Sequence, residues 1–411
     1  MSTDTPAILG GPPAFPDGLR LLRPTLPPLE ALRPGLESAF ATGMVTKGPA
    51  LAEYERRVAE HLGVAHAIAV SSCTAGLMLV YDGLRPEGAP RAGGAAPGGA
   101  PRPQAVMPSF TFMATAMAAV WAGLEPVFAD IDPDTWCLSP AAAEAALTSD
   151  TALVAPVHVF GVPADTDAFG ELGRRRGVPV VYDAAHGFGA LRDGRPLGAA
   201  GLANVFSTSP TKLLITGEGG VVATDDDALA ERVVVGREYG NPGTYDALFP
   251  GLNARLPEAS ALLGLEGLGL LEPEAERRNE LAGVYRELLG GLPGLAFQRV
   301  RPQDRPSFKD FSVRVRAAEF GLTRDELAAA LDAEGVDTRA YYVPPVHRLT
   351  AFAATGPAFD ERLPETARLC DEVITLPAYG RLETGDVERI AACMIALHEQ
   401  APRVRRGLAP A

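Results

Sequence analysis

Apolar positions follow two rhythms along the chain. In LAEYERRVAEHL, Leu51, Tyr54, Val58 and Leu62 recur at helical spacing on one face and Gly63 follows as a natural stop, so a helix is predicted over 51–62. Short apolar runs then appear at 66–70, 105–107, 126–128, 153–159, 178–182, 203–206 and 220–223. Most are separated by helical-looking segments such as 75–84, 141–147 and 166–176. Apolar strands alternating with helices predict an α/β fold with a largely parallel sheet covered on both faces. In such sheets ligands gather at the carboxyl ends of the strands.

The rhythm changes after about residue 255. Two long helices are predicted over 256–271 and 274–289, then an alternating strand at 311–315, a helix at 324–334, a strand near 373–376 and a last helix at 385–398. The expected organisation is a large domain over 1–255 and, over 256–411, a linking helix with a smaller C-terminal α/β domain. Residues 85–104 hold five Gly, five Pro and five Ala among twenty positions, a composition that predicts a mobile surface loop.

The chain has 411 residues, of which 47% are apolar and 21% charged, so it has ample material for packed cores. Its net charge of −14 repels phosphate backbones and anionic lipid, which excludes nucleic acid and membrane surfaces as expected partners. The start, MSTDTPAILGGPPAFP, has neither a basic region nor an apolar core before a small-residue cleavage site. Cys73, Cys137, Cys370 and Cys393 form no CxxC pair, and His61, His66 and His398 have no metal-ligand spacing. A reducing cytoplasm is the expected location. Only three of the 37 basic residues are lysines, Lys47, Lys212 and Lys309, so an amine nucleophile has three candidates.

Three local patterns carry chemistry. In VVYDAAHGFGA an apolar run ends in Asp183, which reads either as a strand-end acid facing a pocket or as a helix N-cap. In ANVFSTSPTKLLITGEGG a strand ends near Phe206, a hydroxyl-rich turn follows, and Lys212 is enclosed by apolar residues before a glycine-rich turn. Desolvation lowers an amine pKa, which favours covalent chemistry with a carbonyl. In AIAVSSCTAGL a strand runs through Ser71, Ser72, Cys73 and Thr74 into a helix, whose N-terminus suits a phosphate. Neither the dinucleotide glycine fingerprint nor the Walker phosphate loop occurs. A phosphate cradle, a strand-end acid and an enclosed lysine together match the needs of pyridoxal 5′-phosphate (PLP), with the acid on the pyridine nitrogen and the lysine linked to the cofactor.

The ordered blocks TKGPALAEYERRVAEHLGV, VSSCTAGL, PSFTFMATAMAAVWAGLEPVFADID, VHVFGVPADTD, YDAAHGFGA, FSTSPTKLLITGEGG and GLNARLPEASALLGLEGL resemble the DegT/StrS family of sugar aminotransferases, from about Thr46 to Leu397. The resemblance implies a fold-type I PLP-dependent transferase with a mixed, mostly parallel seven-stranded sheet and a smaller C-terminal α/β domain. It implies Lys212 as the residue that carries PLP and Asp183 as the partner of the pyridine nitrogen. His186 falls near the cofactor hydroxyl, Phe112 on the ring face, Cys73 and Thr74 in the phosphate turn, and Ser207 beside the phosphate. Asn253 is implied to reach the phosphate across a homodimer interface. Three departures stand out: Cys73 in place of glycine, Ser209 where many relatives have histidine, and the length of 85–104.

The implied activity moves an amino group from an amino acid, usually L-glutamate, to a nucleotide-linked keto-deoxysugar in natural-product or glycan biosynthesis. PLP and its pyridoxamine form are the implied cofactor states. A keto-cyclitol or other ketone as acceptor is the nearest alternative. A PLP-dependent dehydratase would carry histidine in place of Lys212, and a non-catalytic scaffold would lose Lys212 or Asp183. His347 is read as structural, with approach to the substrate as its other role. His158 is read as a core histidine, and Tyr341 and Tyr342 as pocket or packing residues.

Overall fold

The computed structural model describes residues 5–89 and 102–408, so most of the 85–104 segment, and the mobile loop expected there, lies outside the described residues. Seven strands form the larger sheet: β1 (His66–Val70), β2 (Gln104–Pro108), β3 (Glu125–Ala129), β4 (Thr151–Val154), β5 (Val181–Asp183), β6 (Ala203–Ser207) and β7 (Gly220–Thr224). β2 pairs in parallel with β3 and β4, and β5 in parallel with β6. β7 runs antiparallel between β6 and β1. Parallel bridges from Val154 to Val180 and from Val157 to Asp183 join the two groups. The spatial order is therefore β3-β2-β4-β5-β6-β7-β1 with β7 alone reversed, the mixed and mostly parallel arrangement that the resemblance implied.

Period-two alternation divides the sheet between two cores. Ile68 and Val70 face a cluster that includes Leu77, Val80, Ala118 and Val233, from the helices Cys73–Leu84, Ala114–Trp121 and Asp227–Gly236. Ala67 and Ala69 face the opposite cluster with Leu51, Tyr54, Val58 and Leu62, the predicted stripe of the helix Pro49–Leu62.

The two helices expected over 256–271 and 274–289 are one helix of 32 residues, Glu258–Leu289. Pro273 lies inside it, where proline ordinarily removes a hydrogen bond and costs about 3 kcal/mol. Packing on both sides overrides that local preference. Ala261, Leu271 and Ala275 are buried with the helix Pro49–Leu62, while Leu281, Ala282, Tyr285 and Leu289 enter the core of the smaller unit.

That smaller core surrounds an antiparallel sheet of β8 (Leu295–Phe297), β9 (Phe311–Val315) and β10 (Val373–Leu376), in that order. All five residues of β9 are buried despite their alternating character, because Ser312 bonds Thr375 at 2.8 Å and Arg314 pairs with Glu372. The N-terminal segment, grouped with the first domain by chain order, packs here instead. Phe15 joins this core, its N–H donates to Glu334 O at 2.9 Å, and Leu19 bridges to Val336.

Candidate active site

The site is assembled at strand ends. Ser72 caps the helix Cys73–Leu84 by accepting from Ala75 N at 3.1 Å, which leaves the first-turn N–H groups of Cys73 and Thr74 at its open end. Gly220 at the start of β7 permits this placement: a Cβ there would lie 2.5 Å from Cys73 N. Ser207 ends β6, and Asp183 ends β5.

A cavity of about 410 Å³ gathers Cys73, Thr74, Phe112, Asp183, His186, Ser207 and Lys212, seven of the eight candidate residues named above. Ser209, Tyr341 and Tyr342 also line it. Asn253 does not. It borders a separate hollow with Phe40, Val45, Thr46 and Arg255.

Asp183 is 4% exposed and burial pushes its carboxyl upward. Thr115 Oγ1 donating at 2.6 Å, Ala185 N donating at 3.0 Å and the Lys212 charge oppose that rise. The N-cap alternative does not hold, since Asp183 is followed by a turn and the short strand Leu191–Arg192 and not by a helix, and its oxygens serve Thr115 and the Ala185 turn. Lys212 is brought down to about 8 by desolvation and by the neighbouring Lys309 charge. An amine poised there is partly neutral near physiological pH and therefore nucleophilic. His186 is buried, which holds its imidazole neutral, and its Nδ1 has no hydrogen-bond partner.

The Cys73 thiol donates to Val205 O at 3.3 Å, and burial raises its pKa, so it packs as a neutral side chain. His347 stays outside the cavity. Its Nδ1 bonds Ser109 Oγ at 2.6 Å and its Nε2 bonds Asp360 at 3.0 Å, with both His347 and Ser109 fully buried. That network fastens the 346–362 segment to the end of β2. His158 stacks on Tyr182 at 5.0 Å and accepts from Ala164 N at 2.9 Å, a core role.

Sequence reasoning missed two parts of the site. Thr115 orients Asp183 from the helix Ala114–Trp121, and nothing in its local sequence points there. Lys309 and Asp310 reach the same cavity from the edge of the smaller unit. The scarcity of lysine was the available signal for Lys309.

The sequence pattern of the DegT/DnrJ/EryC1/StrS aminotransferases matches residues 30–395. The chain belongs to this aminotransferase family. A dTDP-3-amino-3,4,6-trideoxy-alpha-D-glucose transaminase of Streptomyces venezuelae is 35% identical over 380 residues, covering 91% of this chain and 94% of its own. The spore coat polysaccharide biosynthesis protein SpsC of Bacillus subtilis is 32% identical over 362 residues, 85% of this chain and 90% of its own. The crystal structure of DesI with its TDP-sugar product superimposes with a TM-score of 0.85 at 35% identity, covering 97% of each chain. As a member of this family the chain is a PLP-dependent aminotransferase of fold-type I. Among the described residues no helix is long and apolar enough to cross a membrane.

Proposed function

We propose that this aminotransferase moves the amino group of L-glutamate to the keto carbon of a nucleotide-linked keto-deoxysugar, with PLP held in the Lys212 cavity. The observation that carries the proposal is one cavity containing an amine lowered to about 8, a buried carboxyl and an open helix N-terminus. The sugar class is drawn from the S. venezuelae transaminase and from DesI, whose names specify dTDP- and TDP-linked sugars.

The residues fit the cofactor. Asp183 is a buried acid that a ring nitrogen bearing a proton would keep ionised, and His186 has an unused Nδ1 for a hydroxyl group. Cys73 and Thr74 would offer backbone N–H groups to the phosphate, Ser207 would add a hydroxyl, and Phe112 would supply an aromatic face for the ring. When bound, PLP supplies an electron sink that acidifies the carbon carrying the transferred amine. Lys212 holds the cofactor and, once released, moves the proton at that carbon in both halves of the reaction.

The reading includes a homodimer with shared sites. In one chain the helix Leu29–Thr42 has no buried residue, Leu29 and Met44 at its two ends are exposed, and the exposed Phe40 and Val45 line the hollow that Asn253 borders. Apolar side chains grouped in this way mark a surface that another chain covers. A second copy seated there would carry Asn253 towards the neighbouring phosphate site. A cytoplasmic location accords with four free, buried cysteines.

The test supplies L-glutamate and a panel of dTDP-linked 3-keto and 4-keto deoxysugars and follows both products. Release of 2-oxoglutarate in step with an amino sugar is expected. Amination of keto-cyclitols with none of the nucleotide sugars would contradict the substrate assignment.

A further inference from the structure

A single transaminase cavity must accept two unlike molecules in turn. The amino donor carries a carboxylate on its reacting carbon, whereas a keto sugar carries none. An anion drawn beside that carbon needs a cation there, because an unpaired buried charge is very costly. Among the described residues lining the cavity, the cations are Lys212 and Lys309, and Lys212 is committed to the cofactor.

Lys309 is 7% exposed, and its Nζ donates to both carboxylate oxygens of Asp310 at 2.8 and 2.9 Å. The ammonium also lies 5.4 Å from the centre of the Tyr341 ring. The backbone beneath it is fixed. Arg278 Nη1 donates to the carbonyls of Phe308 and Lys309, each at 3.1 Å, and Ser307 Oγ donates to His186 O at 2.7 Å. The ion pair thus joins a long, flexible lysine to a short neighbouring carboxylate on a held strap that reaches the cavity wall.

We propose that Lys309 receives the α-carboxylate of the amino donor, and that Asp310 serves as its substitute counter-ion while the keto acceptor occupies the cavity. An ammonium has three N–H donors, so Lys309 can turn towards a substrate carboxylate and keep one bond to Asp310. With the acceptor bound, the pair closes on itself and no buried charge is left alone. Position favours the carboxylate over a nucleotide diphosphate. The carboxylate is attached to the reacting carbon, while a diphosphate on the anomeric carbon stands beyond intervening ring atoms. Lys309 and Lys212 line the same cavity, which keeps the ammonium near the reacting centre.

The inference rests on the transaminase reading, and its test separates the two. In cofactor-loaded Lys309→Gln, each half-reaction is measured alone by stopped-flow absorbance, and succinate, a dicarboxylate that cannot react, is titrated calorimetrically. Losing a charged hydrogen bond predicts that glutamate and succinate each bind about tenfold or more weakly, with the keto acceptor changed less than about threefold. Lys309→Arg should restore most of the loss, and Asp310→Asn, which frees the ammonium, should tighten succinate. Unchanged succinate binding, or losses equal for donor and acceptor or confined to the acceptor, would overturn the assignment. If the unaltered enzyme takes no amine from glutamate, the transaminase reading fails, while succinate binding still reports on Lys309. If Lys309→Gln does not fold, the Asp310→Asn titration decides, and no tightening there counts against the proposal.

Discussion

Asp183 is held at the end of β5 by Thr115 and by the turn at Ala185, and burial raises its carboxyl unless a cation faces it. Asp183→Asn keeps the shape and can keep the Thr115 bond, but it removes the charge. The cofactor should therefore remain bound while kcat falls about 10²- to 10³-fold, the size of effect seen when one aimed electrostatic group is lost. Turnover divided by cofactor occupancy measures this, and a rate near that of the unaltered enzyme would show that the charge is not needed. Asp183 and Lys212 were legible because each ends or interrupts an apolar run, where a charged residue is conspicuous. The scarcity of lysine marked Lys309 only as one of three possible amines, and nothing in RPSFKD places it in the cavity. Its backbone is held by Arg278, a residue of the long helix that no local pattern connects to it.

Elements bring the open end of the helix Cys73–Leu84 to the cavity through close contact with β6 and β7. Gly76 in that helix sits where a Cβ would lie 2.8 Å from Val205, and Gly220 where one would lie 2.5 Å from Cys73 N. Gly220→Ala should push the helix N-terminus away from the cavity and so from the proposed phosphate site. A stability loss of about 1–3 kcal/mol, read from urea melts, and faster release of PLP on dialysis are expected. Unaltered PLP retention would mean that the close approach does not set the cradle. The alternation of strands and helices was legible because each strand of the large sheet is short, apolar and bounded by turns. The joining of 256–271 and 274–289 into one helix was not, because Pro273 announces a break locally and burial in two separate cores outweighs it.

The whole molecule presents a net charge of −14 together with an apolar strip around Phe40, which is 79% exposed in a single chain. Self-repulsion on that scale opposes association, so a stable pair of chains must draw on the apolar strip. If the proposed homodimer forms through this strip, Phe40→Asp should shift sedimentation from dimer towards monomer and, with Asn253 bordering the same hollow, weaken PLP retention. An unchanged dimer with full cofactor would place the interface elsewhere. The sequence implied shared sites only through resemblance; no feature of one chain's hydrophobic pattern distinguishes a partner's surface from its own core. With three lysines in the chain, and two of them in one cavity, covalent attachment is a sharp test of the whole account. The protein is incubated with PLP, reduced with borohydride, digested and mapped by mass spectrometry. The added cofactor mass is predicted on the peptide containing Lys212; its appearance on Lys309 or Lys47, or on no peptide, would contradict the account.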